Sequence, residues 1–76
     1  MNKERRKRIE DVMNRLEELQ SEIEEIRDEE TEYRDNMPEN LMNSERYERA
    51  DSACDNLDSA ADSLGEVIDY LSESME

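Results

Sequence analysis

The sequence predicts an all-α fold: an antiparallel two-helix coiled-coil hairpin that dimerises into a four-helix bundle. Three observations carry this prediction. The apolar residues fall into two heptad runs. A short break holding the only proline separates them. The two runs then match position for position when the chain is folded back on itself. Composition alone points elsewhere. With 33% hydrophobic residues, 45% charged residues and a net charge of −14 on 76 residues, the chain looks disordered. The order of the residues overturns that impression.

In the first run, Ile9, Val12, Leu16, Leu19, Ile23, Ile26, Glu30, Tyr33 and Met37 alternate at spacings of three and four. These are the a and d positions of a heptad, with Ile9 at a. The intervening residues are mostly Glu, Asp, Arg, Ser and Asn, as a solvated helix face requires. A helix over about residues 3–35 is expected. Glu30 is the one charge on the seam, either a register device or the partner of Arg34 or Arg49.

The break runs from Asn36 to Asn43. Pro38 cannot continue a helix and pushes Met37 out of the helical region. Ser44 is a good N-cap, with Glu45 placed to complement the next helix's dipole.

The second run, over about residues 44–74, places Tyr47, Ala50, Cys54, Leu57, Ala61, Leu64, Ile68, Leu71 and Met75 at the same spacings, with Tyr47 at a. In an antiparallel pair, a faces d and facing residue numbers share one sum. Ile9 with Leu71, Leu19 with Ala61, Ile26 with Cys54 and Tyr33 with Tyr47 all add to 80, so a single hairpin over residues 1–76 is expected. Both stripes are wider than one neighbour needs. The second helix adds Ala53, Ala60 and Val67 at g, and the first adds Met13 and Gln20 at e. These five form a candidate dimer or partner face, because a hairpin this small is marginal alone.

Charge is uneven. Five bases, Lys3, Arg5, Arg6, Lys7 and Arg8, with Glu4 give residues 2–8 a charge of +4, and residues 9–76 then carry −18. Glu73 and Glu76 are the expected hairpin partners of the basic run. An acidic partner or nucleic acid is the alternative, although a chain at −14 should not itself bind nucleic acid. Asp51, Asp55, Asp58, Asp62, Glu66 and Asp69 recur at helical spacing as a row about 28 Å long, one carboxylate per about 5 Å. The row reads as a solvated face, as a mimic of nucleic-acid phosphates (about 3.4 Å apart along a strand), or as a weak divalent-cation site. It lacks the EF-hand order of ligands.

Several chemistries are excluded or unsupported. There is no His to act as base or metal ligand, so no catalytic, cofactor or metal site is expected. Cys54, the single cysteine, reads as a small reduced core residue and fits a cytoplasmic location. No apolar run is long enough to span a membrane, and no apolar segment follows the basic start to make a secretory signal. Tyr33, Met37, Leu41, Met42 and Tyr47 cluster at the turn, to cap the bundle or to contact a partner. Tyr70, off the seam at c, should be at least half exposed.

The stretch Glu29–Leu41, above all Asn36-Met37-Pro38-Glu39-Asn40-Leu41, followed by Ser44-Glu45-Arg46-Tyr47 and the Ala/Asp/Leu heptads, resembles small acidic helical-hairpin proteins encoded by bacterial phages and prophages. The resemblance covers about residues 10–72. It implies a non-enzymatic accessory protein of the bacterial host cytoplasm that binds a host or phage protein. Such proteins often antagonise host factors, defence nucleases among them. It carries no catalytic residue to transfer.

Overall fold

The computed structural model describes residues 1–76. Two long helices, α1 (Lys3–Asp35) and α2 (Glu45–Ser74), pack along their length, and there are no strands. Local chemistry sets each boundary. The Asn2 side chain accepts the Arg5 N–H at 2.8 Å and caps α1. The Asn36 N–H donates to the Glu32 carbonyl at 3.0 Å and the Met37 N–H to the Arg34 carbonyl at 3.3 Å, ending α1. Pro38, extended at φ −58° and ψ 148°, forbids a further turn and leads into a short 3-10 turn at Glu39–Leu41. Ser44 then stops the loop from both sides. Its hydroxyl donates to the Leu41 carbonyl and accepts the Tyr47 N–H at 3.2 Å, which starts α2. Glu45 and Glu48 fill the first turn, where carboxylates favour the helix dipole.

Cross-helix contacts give the sense of packing. Gln20 meets Ala61, Arg27 meets Asp58, Thr31 meets Cys54 and Arg34 meets Asp51. The numbers rise on one helix as they fall on the other, so the hairpin is antiparallel. Each contacting pair adds to between 81 and 85, slightly above 80. Side chains lean toward their own helix N-terminus, which raises the sum at the point of contact.

The molecule is a rod of 59 × 15 × 12 Å with a radius of gyration of 17.4 Å, against about 11 Å for a compact chain of this length. Only Met37, Ala50, Cys54 and Ala61 are buried. Three of these are small α2 residues that let α1 approach closely. The 5956 Å² of accessible surface exceeds the roughly 4,900 Å² expected for a folded monomer of this mass by about 1,000 Å². Neither helix is long and apolar enough to cross a membrane.

One expectation about α1 is corrected. Three of its d residues turn away from α2: Leu19, Ile26 and Tyr33 are 50%, 48% and 49% exposed, while Val12 is half-buried and shares a concave surface with Leu71. The pairings Leu19–Ala61, Ile26–Cys54 and Tyr33–Tyr47 do not form the seam. Instead Gln20 donates to the Ala61 carbonyl at 2.9 Å, and Thr31 donates to the Cys54 sulfur at 3.5 Å. α1 is turned so that its a and e columns meet α2. The reason is steric and polar together. A single small-residue helix covers two columns of α1, not three. The e column carries Gln20, Arg27 and Arg34, long side chains that reach hydrogen-bond partners across the gap.

Candidate interaction surface

The hairpin has two unlike edges. Along the first, e positions meet e positions. Arg27 bridges Asp28 on its own helix at 3.0 Å and Asp58 on α2 at 2.9 Å. One heptad later, Arg34 bridges Asp35 at 3.0 Å and Asp51 at 2.8 Å. Hydrogen bonds that Arg27 donates to Asp28 first, and then to Asp58, raise its pKa. The Asp35 hydrogen bond is the largest influence on Arg34 and raises its pKa; partial burial opposes, and Asp51 adds to the rise. Gln20 continues this edge. Its amide nitrogen lies 3.1 Å from where a Cβ would stand on Gly65, so the only glycine in the chain leaves room for that hydrogen bond. This edge is closed.

The second edge is open. With e against e on one side, the d and g columns of α1 and the g column of α2 share the other. Tyr33 lines a groove there with Arg46, Arg49 and Ala50, and a neighbouring concave surface of about 450 Å³ joins Tyr33 to Glu29, Met37, Leu41 and Arg46. Leu19, Ile26 and Tyr33 recur every seven residues along this edge. Ala60 and Val67, the latter 43% exposed, lie across from them on α2, with Ala53 half-buried. The strip stands out on a chain with 45% charged residues.

The expected partner face is therefore divided. Ala53, Ala60 and Val67 belong to the open edge. Met13 and Gln20 are half-buried on the closed one, and Gln20 is already hydrogen-bonded. Leu19 and Ile26 take their place. The signal was present in the sequence: Arg27 and Arg34 at e, opposite Asp58 and Asp51 at e, identify the edge that closes.

The acidic row is divided too. Asp51 and Asp58 are ion-paired within the hairpin, while Asp55, Asp62, Glu66 and Asp69 make no ion pair. These four span about 21 Å at the helical rise, one carboxylate per about 7 Å, about half the charge density of a nucleic-acid strand. This thins the row on which phosphate mimicry depends. Around the C-terminal half of α2, Glu66, Asp69 and Glu73 surround Tyr70, which is 71% exposed.

Two other expectations change. Lys3, Arg5, Arg6, Lys7 and Arg8 form no ion pair with Glu73 or Glu76; only Arg27, Arg34 and Arg49 are paired in the hairpin. Glu30 bridges neither Arg34 nor Arg49, because Arg34 is held by Asp35 and Asp51 and Arg49 by Glu45. At the turn, Met37 is buried and Leu41 and Tyr47 are half-buried, while Tyr33 and Met42 are exposed. Cys54 is a free, buried thiol. No group of three carboxylate or cysteine residues is placed to hold a metal ion.

No protein-family model, curated protein or solved structure matches the chain.

Proposed function

We propose that this chain is a non-enzymatic interaction protein. Its hairpins pair through the open edge into a homodimeric four-helix bundle, and the bundle binds and modulates a host protein in a bacterial cytoplasm, as a phage accessory protein would. The observation that carries the reading is the apolar strip Leu19–Ile26–Tyr33, half exposed on a hairpin with four buried residues. The excess surface of about 1,000 Å² matches the roughly 800 Å² per partner of a standard stable interface. The outer surface left free after pairing is acidic and keeps Asp55, Asp62, Glu66 and Asp69 for a second partner.

Sedimentation equilibrium tests the reading. The wild type is expected at twice the 9.1 kDa chain mass, and Leu19→Asp with Ile26→Asp at the chain mass. A wild-type monomer with full helical circular dichroism would refute it. For the second partner, changing Asp55, Asp62 and Asp69 to Asn should abolish capture of a host protein without disturbing the dimer mass.

A further inference from the structure

We propose that the second copy docks on the open edge with its two-fold axis along the rod. In this arrangement α1 of each hairpin lies against α2 of the other, and both turns sit at the same end. The inference rests on the self-association reading above and supplies its geometry.

Residue size selects this sense. The open edge carries a column of large residues on α1, namely Leu19, Ile26 and Tyr33 at d. It carries a column of smaller ones on α2, namely Ala53, Ala60 and Val67 at g. Close packing between two layers needs large residues to face small ones. An axis along the rod meets that need on both sides of the bundle at once. An axis across the rod sets α1 on α1 and α2 on α2. Large residues would then face large on one side and small would face small on the other.

The heights follow with no free choice. An axis along the rod keeps every residue at its own level, so contacts between copies obey the sum of 81 to 85 found within the hairpin. Leu19 adds to 79 with Ala60 and to 86 with Val67. Ile26 adds to 79 with Ala53 and to 86 with Ala60. Each large residue of one copy therefore stands level with the gap between two smaller residues of the other, as a knob enters a hole.

The rims agree. Outside the apolar columns lie g on α1 and c on α2. Arg15 with Tyr70, Glu22 with Ser63, and Glu29 with Asn56 all add to 85 across these rims. No like charges meet, because none of the eight acids from Ala50 onward falls at c or g of α2. Glu22 meets a hydroxyl and Glu29 an amide, and both can donate to a carboxylate. The first pair is the most telling. Arg15 makes no ion pair within the hairpin, and Tyr70 is 71% exposed with Glu66, Asp69 and Glu73 around it. A guanidinium placed over that ring gains an aromatic face and nearby carboxylates together. The same axis brings Lys3–Arg8 of each copy to the C-terminal end of α2 in the other, where Glu73 and Glu76 make no ion pair within the hairpin.

Paired cysteines test the geometry. In a Cys54→Ala background, a mixture of the Glu22→Cys and Ser63→Cys proteins should form disulfide-linked heterodimers on mild oxidation. With α1 against α1, these two rims lie on opposite sides of the bundle and would not link. Independently, Arg15→Gln and Tyr70→Leu should each weaken the dimer roughly two- to fivefold, and the double variant should lose little more than either alone. A dimeric mixture that does not cross-link, or losses that multiply in the double variant, overturns this docking and leaves self-association standing. A wild-type monomer overturns both.

Discussion

The two edges of the hairpin are built from the same two helices and end in opposite conditions. On the closed edge, Arg27, Arg34 and Gln20 reach across to Asp58, Asp51 and the Ala61 carbonyl, and every group has its partner within the chain. On the open edge, Leu19, Ile26, Tyr33 and Val67 stand about half exposed with nothing above them. The polar edge is the self-sufficient one because hydrogen bonds and ion pairs are made pairwise, and two helices suffice. Apolar burial needs enclosure, and two narrow helices enclose little.

Substitutions on the open edge should have the largest effects. Leu19→Asp with Ile26→Asp should weaken association at least about a hundredfold and take helical circular dichroism down with it at low protein concentration. The same measurement on Gln20→Asp should leave the dimer largely assembled, since position 20 faces inward on the other edge. Between the edges, Ala61 is buried against α1, and Ala61→Leu should cost about 1–3 kcal/mol by forcing the helices apart. Thermal unfolding at fixed concentration reads it.

The closed edge sharpens the contrast with smaller effects. Gln20→Ala removes one part-buried hydrogen bond, worth about 1 kcal/mol. In the wild type, Gly65→Ala gains helix propensity but disturbs that bond, so its net effect should stay within about 0.5 kcal/mol. With Gln20 already removed, the same change should stabilise by about 1 kcal/mol. A double-mutant cycle that comes out additive would show that the two do not touch. Smallest of all, Arg27→Gln and Arg34→Gln should lower the unfolding midpoint slightly at low salt, a difference that vanishes at high salt. Both guanidinium pKa values move upward, so the stabilisation from these pairs is fully present below the ordinary arginine range and lost only above it. Unfolding curves at pH 7 and pH 10 should therefore show the same contribution from each pair.

The helices and their packing were legible in the sequence because they rest on local rules. Heptad spacing marks the two helices and their apolar stripes, Pro38 ends the first run, and Ser44 opens the second. The rotation of α1 was not legible from spacing. A stripe three columns wide fits its neighbour in more than one way, and apolar pattern alone favours a and d over a and e. What settles the choice is a comparison between burying Leu19 and Ile26 and making the bonds of Gln20, Arg27 and Arg34. That is a tertiary question, answered by which acids of α2 stand opposite. The same reason explains the acidic row. Seen along one helix, Asp51 and Asp58 look identical to Asp55 and Asp62, and only the facing arginines tell them apart.

Four buried residues in seventy-six have a consequence for the lifetime of the protein in a cell. A partner that covered the open edge of the folded chain alone would raise stability by about 2.7 kcal/mol when present at a hundred times its dissociation constant. Copies without it would spend more time open to proteases than copies with it. Abundance would then be self-correcting: surplus chains would be cleared first, and the surviving pool would track the amount of partner rather than the rate of synthesis.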